Sequence, residues 1–273
     1  MKGKLYIVGT PIGNLSDFSP RAIETLDSVD FIAAEDTRVT VKLLNHFDIK
    51  KPLVSYYEHN KMERGQMIID RILNGENCAL VSDAGMPAIS DPGELLVAQC
   101  AEADIQVLTV PGPSAVISAL AVSGLPTGRF TFEGFLSVNK KSRREHLADV
   151  KNERRTMVFY EAPHKLSATL HDMLTAWGDR RIAIVREITK IHEEVIRTTL
   201  AEADKRFSEE TPKGEIVLVI EGAAAAQEEE YTLESAVEMA REFAEQGMST
   251  SEAAKKAAQL CGFKKGEIYK ELL

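Results

Sequence analysis

The sequence predicts an α/β protein of two domains, the first with a mostly parallel sheet and the second with a mixed sheet, followed by a C-terminal helical extension. Three observations predict it. Short apolar runs alternate with amphipathic stretches from residue 5 to residue 123, the pattern of a parallel sheet covered on both faces. Between residues 130 and 221 neighbouring apolar runs are joined by short loops, which suits antiparallel pairs. From residue 223, four alanines, a glutamine and three glutamates introduce a stretch with helical periodicity only. The expected boundaries are 1–125, 126–222, a linker at 223–232 and a helical module at 233–273.

In order, residues 5–8 read as a strand that ends in a stiff turn from Gly9 through Pro11 to Gly13. Ser19 and Pro20 open a helix with Ala22, Ile23 and Leu26 on one side. A strand at 29–34 ends in Glu35, Asp36, Thr37 and Arg38, and a helix follows to 45. A strand at 52–57 leads to Asn60 and Glu63, a plausible cap for a helix to 74. The strand at 78–81 runs into a loop of small residues. Asp91 suits the N-cap of the next helix, Pro92 its first position and Glu94 a capping box. A strand at 106–110 ends in the loop Pro111 to Ala115, and a helix reaches 123. After a hinge at 126–129 come a strand at 130–136, a basic helical stretch at 139–155, a strand at 156–162 and a helix to 176. Strands at 182–187, 194–200 and 215–221 complete this part. The tail reads as helices at 233–245, 249–261 and 264–272, with Ser249 and Glu252 as a capping box, in the outline of a helix-turn-helix.

The 273 residues are 44% apolar, enough for a substantial core, and carry a net charge of −9. That acidity argues against coating nucleic acid by charge alone. The three cysteines form no metal-like spacing, and Cys78 and Cys100 fall in apolar patterns, which suits a reducing compartment. Lys2, Lys4 and a short β-like run lead straight into a glycine turn without a signal-peptide pattern. No apolar run approaches the roughly 20 residues needed to span a bilayer. A cytoplasmic protein without a membrane partner is expected.

Several familiar motifs are missing. The pair Gly9 and Gly13 is not a dinucleotide fingerprint, and there is no phosphate-binding P-loop, nucleophile elbow or zinc-protease helix. The stretch 81–93 is the sharpest signal. It follows a strand and combines Asp83, Gly85, Pro87, Pro92 and Gly93. Small residues let a ligand approach the backbone, and Asp83 can accept hydrogen bonds from an ammonium or a hydroxyl. The loop Pro111 to Ala115 is a second of the same kind. Glu161, His164, Glu187, Lys190, His192 and Glu193 are dense in titratable groups but match no zinc pattern, so no metal is expected. Residues 140–155 carry seven basic residues and three acids, a local balance of +4. Such a face suits phosphate contacts, and Lys255, Lys256, Lys264 and Lys265 add a second basic set.

Taken in order, the runs GTPIGNL (9–15), AEDTR (34–38), VSDAGMPAISDPG (81–93), PGPSA (111–115), FYEAPHK (159–165), REITKIHEE (186–194) and KGEIVLVIEG (213–222) resemble the tetrapyrrole-methylase superfamily. They are most similar to its branch acting on small-subunit ribosomal RNA. The resemblance implies S-adenosylmethionine held between two α/β domains, a homodimer, and methyl transfer to the ribose 2′-oxygen of a cytidine in the decoding region of 16S ribosomal RNA. It places Pro11, Asp83, Ala84, Gly85, Met86, Ile89, Ser114, Ala115, Tyr160 and the turn Pro212, Lys213, Gly214 around the cofactor. Candidates to take the hydroxyl proton or steady its charge are Glu35, Asp36, Glu161, Glu187 and Lys190, with Asp36 or Glu161 first as acceptor and Lys190 steadying charge. Arg38, Lys140, Lys141, Arg143 and Arg144 are the expected RNA contacts. Two rival readings are a carbon methylase of a corrin-like macrocycle and a non-catalytic RNA-binding assembly factor.

Overall fold

The structure is a computed structural model that describes residues 1–224 and 231–272, so most of the linker expected at 223–232 lies outside the described residues. The chain divides into two compact units, Met1–Ala223 and Ala224–Leu273.

The first unit opens with β1 (Lys4–Val8), α1 (Pro20–Ser28), β2 (Phe31–Ala34), α2 (Thr37–His46), β3 (Leu53–Ser55), α3 (Lys61–Leu73), β4 (Cys78–Val81), α4 (Gly93–Glu102) and β5 (Gln106–Val110). Its five strands form an all-parallel sheet in the order β3-β2-β4-β1-β5. Strand period decides which layer each residue joins. Phe31, Ala33, Cys78 and Leu80 face α3 and α4, where Ile68, Ile72, Leu96 and Cys100 close one core. Ile32, Ala34, Ala79 and Val81 face the other way, onto Ala22 and Leu26 of α1 and Leu44 of α2. Both faces are dry, which is why the strands read as continuous apolar runs.

Next come α5 (Ala115–Ser123), β6 (Phe130–Phe135), α6 (Lys140–Asp149), β7 (Thr156–Glu161), α7 (Leu166–Trp177), β8 (Arg181–Arg186), β9 (Glu194–Thr199), α8 (Leu200–Glu209) and β10 (Ile216–Ile220). The second sheet has the order β6-β7-β10-β8-β9 and is mixed: β6 and β7 are parallel, the other pairs antiparallel. Its Val158, Val185, Val217 and Val219 pack on α5, through Val116, Ala119 and Leu120. So α5 leaves the first sheet but buries its apolar face on the second. The opposite face packs Met157, Phe159, Ile184 and Leu218 against Leu147 of α6, Leu170 and Met173 of α7 and Phe207 of α8.

Three local expectations need correction. The fourth helix starts at Gly93, with Pro92 as N-cap; the Asp91 carboxylate accepts from Gly93 N at 2.7 Å and Ala88 N at 3.0 Å and so fastens the preceding loop. Asn60 does not cap α3, because its side chain is already bonded to Tyr57 N and Ser55 O. Helix α8 was not expected, although Thr199 and Glu202 carry the capping spacing and Leu200, Ala203 and Phe207 a helical period.

The second unit holds α9 (Leu233–Glu245), α10 (Thr250–Cys261) and α11 (Lys265–Leu272). Their core is rich in alanine: Ala236, Ala240, Ala254 and Ala257, with Val237 and Ile268. Ser249 and Glu252 form the expected capping box, and Gly262 ends α10 in the left-handed conformation. Among the described residues no helix is long and apolar enough to cross a membrane.

Candidate cofactor site

The carboxyl ends of β1, β2, β4 and β5 carry four loops that are tied to one another. Thr10 and Gly85 exchange two backbone hydrogen bonds, at 2.9 and 3.1 Å. Asp36 N donates to Asp83 Oδ1 at 3.0 Å, joining the β2 and β4 loops. Gly9 and Gly112 lie back to back, such that a Cβ on Gly9 would stand 2.7 Å from Gly112 Cα. No side chain fits there, and the glycines let the β1 and β5 loops touch. Met86 completes the junction, its Sδ accepting from Gly112 N at 3.3 Å.

These loops bound a cavity of about 470 Å³ whose far wall is the second sheet. Of the residues expected around a cofactor, Asp83, Ala84, Gly85, Met86, Ile89, Ser114, Ala115 and Tyr160 line it. Pro11 does not, although Ile12 beside it does. The turn Pro212, Lys213 and Gly214 also stops short; Glu215, Ile216 and Val217 line the wall instead. The reason is register. Strand β10 pairs Ile216 with Glu161 and Val217 with Tyr160, which brings its first residues alongside the cavity. The volume falls within the range of small-ligand sites, and the lining is mainly apolar with a few polar groups.

Three carboxylates gather at the first-sheet side: Glu35, Asp83 and Asp91. Burial raises the pKa of Glu35, and the charges of Asp83 and Asp91 raise it further. Asp83 is raised as well, first by burial, while the Asp36 N–H pulls it back. These groups favour a cationic ligand. Tyr160 stands on the opposite wall, half-buried, with its phenol pKa raised by burial.

The residues expected to do chemistry are placed differently. Asp36 caps α2 and binds Arg38, with Oδ2 at 2.6 Å from the guanidinium, and does not line the cavity. Arg38, its side chain hydrogen bond first and its backbone N–H next, lowers the Asp36 pKa to about 2, so that the carboxylate is a poor proton acceptor. Glu161 lines the cavity but is 5% exposed. Its oxygens accept from Thr169 Oγ1 at 2.5 Å and Ala162 N at 2.8 Å, so it fastens α7 to the strand end. Lys190 is outside the lining, held between Glu187 Oε1 at 2.9 Å and Glu215 Oε2 at 3.0 Å. Burial works against its charge, yet the two glutamates raise its pKa. Its stem covers Gly13 and thereby braces the β1 loop against the second sheet.

The basic helix divides by face. Arg143 points inward to Asp172 at 2.6 Å and its side chain is 12% exposed, which corrects its expected role as an RNA contact. Lys140, Lys141 and Arg144 are exposed. Glu35, Ser90, Asp91, Phe135 and Ile188 line the cavity without having been expected around the cofactor. For Glu35 the signal was present, since it is the second residue of the AEDTR run and directly follows β2. Phe135 gave none, because a strand bulge decides where it points.

The family described as Tetrapyrrole (Corrin/Porphyrin) Methylases matches residues 4–204. The chain is 48% identical to ribosomal RNA small subunit methyltransferase I of Synechocystis, over 98% of this chain and 96% of that one. It is 51% identical to the Thermotoga maritima protein of the same name, over 81% of this chain and 99% of that one. Among solved structures, uroporphyrin-III C-methyl transferase from Thermus thermophilus, complexed with S-adenyl homocysteine, shares the fold with a TM-score of 0.55 at 17% identity, over 80% of this chain and 97% of that one. The chain belongs to the tetrapyrrole methylases. Within them, its near relatives are the small-subunit ribosomal RNA methyltransferases.

Proposed function

We propose that the protein transfers a methyl group from S-adenosylmethionine to small-subunit ribosomal RNA, at the ribose 2′-oxygen of a cytidine in the decoding region. The observation that carries the cofactor half is the cavity itself: four strand-end loops with small residues face it, and acids gather on one side. The cofactor is a cation that carries both an ammonium and a sulfonium, and Asp83, Glu35 and Asp91 suit those charges. Bound there, it supplies an electrophilic methyl group. The RNA half rests on relatives aligned along nearly the whole chain that are named for that substrate.

The protein has two tasks in such a transfer. It must hold donor and acceptor in line, and it must let the hydroxyl lose its proton as the bond forms. The loops tied at Thr10–Gly85 and Asp36–Asp83 make a rigid seat for the first. For the second, Glu35 is better placed than Asp36 or Glu161. It lines the cavity, and its pKa is raised by burial first and then by its acidic neighbours.

The test is methylation of purified small ribosomal subunits with labelled cofactor, with the modified nucleotide mapped. A 2′-O-methyl cytidine in the decoding region is expected. A methyl group on a base, or none in the RNA, removes this reading.

A further inference from the structure

The rim of the cavity has an aromatic residue that nothing in the cofactor seat requires. Strand β6 pairs with β7 as Phe130–Thr156, Thr131–Met157 and Phe132–Val158, then jumps to Gly134–Phe159 and Phe135–Tyr160. Glu133 is the extra residue, and its carboxylate turns away to His146 at 3.0 Å. The insertion shifts the strand by one position. Without it Phe135 would face the buried side of the sheet. With it, Phe132, Tyr160 and Phe135 share one face, with ring centroids 5.0 and 5.3 Å apart. Gly134 makes the step possible, at a φ of 65° that few other residues adopt. Bulges of this kind re-aim side chains beside functional sites.

The re-aimed ring is neither packed away nor isolated. Phe135 is 60% exposed and lines the cavity mouth. Across the mouth Ile89 is 55% exposed, between Ala88 and Ser90, which both have positive φ near 65°. The two walls are close, since a Cβ on Gly134 would stand 3.5 Å from the Ser90 hydroxyl. Five residues beyond Phe135 begins α6, with exposed Lys140, Lys141 and Arg144 in its first turns. Lys140 and Arg144 have no carboxylate partner among the described residues.

We propose that Phe135, faced by Ile89, is the stacking platform for the base of the nucleotide presented to this cavity. The proposal rests on the RNA methyl-transfer reading above. To expose a 2′-hydroxyl to a buried methyl donor, the nucleotide must leave its helical stack. Proteins that take such nucleotides offer an aromatic face to the base and cations to the phosphates. Here the aromatic ring and the cations follow one another along a single stretch of chain, from Phe135 at the cavity mouth outward to Arg144, and the apolar wall, Ile89, faces the ring from the loop between β4 and α4. The ring takes any base by its π-face, so the platform holds the nucleotide without identifying it.

The test uses the full chain and small ribosomal subunits that lack the modification, at saturating S-adenosylmethionine. Phe135→Ala and Phe135→Leu should lower kcat/KM for the subunit by about tenfold to a hundredfold, the effect of losing one stacked base. Phe135→Trp should restore most of it. Cofactor affinity by calorimetry should fall far less than kcat/KM, and sedimentation should match the parent in all three. If the parent methylates the RNA and Phe135→Ala does so equally well, the platform is wrong and the function stands. If Phe135→Leu works as well as Phe135→Trp, or the variants change the oligomeric state, the ring is a packing or subunit contact and the platform is again wrong. A parent that leaves the RNA unmethylated removes the function, and the platform with it.

Discussion

At the scale of single residues, the site is a compromise between stability and binding. Glu35 is held partly out of water beside Asp83 and Asp91, and its pKa is raised by that burial and those charges. A raised carboxylate binds its proton longer in the folded chain than in the unfolded one. Its cost is therefore absent at low pH and grows as the pH rises through its folded pKa. Glu35→Gln should raise the melting temperature of the cofactor-free protein at about pH 7 and leave it nearly unchanged near pH 3. The same variant should bind S-adenosylmethionine more weakly at neutral pH, because a cation prefers the ionised acid. Calorimetry across about pH 5 to pH 8 should show parent affinity rising with pH and the variant's curve flattened. Asp83 was legible from its motif alone. The weight on Glu35 was not, because it depends on β2 lying next to β4, an order that strand–helix alternation does not specify.

At the scale of elements, packing decides what pattern alone leaves open. The junction of β1 and β5 is the clearest case. A Cβ on Gly112 would stand 2.7 Å from Gly9 Cα and 2.8 Å from its carbonyl oxygen, all backbone atoms that cannot swing away. Gly112→Ala should destabilise the chain by about 1–3 kcal/mol by overpacking. It should also weaken cofactor binding, since the two loops it separates both border the cavity. Urea titration and calorimetry read the two effects separately. In α6 the sequence showed a basic helix but not its faces. Arg143 is drawn inward by Asp172, and Leu147 one turn on is in the core. Arg143→Ala should cost about 1.5–3 kcal/mol of stability, the range for a hydrogen bond to a charged group. RNA affinity should change little at temperatures where the variant stays folded. Likewise α7 and α8 were one legible helix and one missed, although both bury against the same sheet face. The capping residue Thr199 lay at the end of a β-rich run, which masked the helix after it.

At the scale of the whole molecule, the tail is separable from the methylase. The four core clusters of the first unit are built from residues between Leu5 and Ile220, and the helical module closes its own core around Ala236 to Ile268. The Thermotoga maritima relative is matched over 99% of its length by only 81% of this chain, so a protein of the same name manages without an equivalent of the remainder. A chain ending at Ala223 should therefore fold and bind S-adenosylmethionine with unchanged affinity. What the tail adds is then open to a thermodynamic measurement. The protein is acidic overall, at −9, so any grip on RNA phosphates comes from local cations. Each phosphate contact contributes a slope of about 0.7 on a single strand to about 0.9 on a duplex to the fall of log affinity with log salt. Changing Lys140 and Arg144 to Gln in the full chain should lower that slope by about 2, with a uniform loss across RNA sequences. If Lys255, Lys256, Lys264 and Lys265 also meet phosphate, the shortened chain should lose a further, independent part of the slope. An unchanged slope would assign the tail to a protein contact.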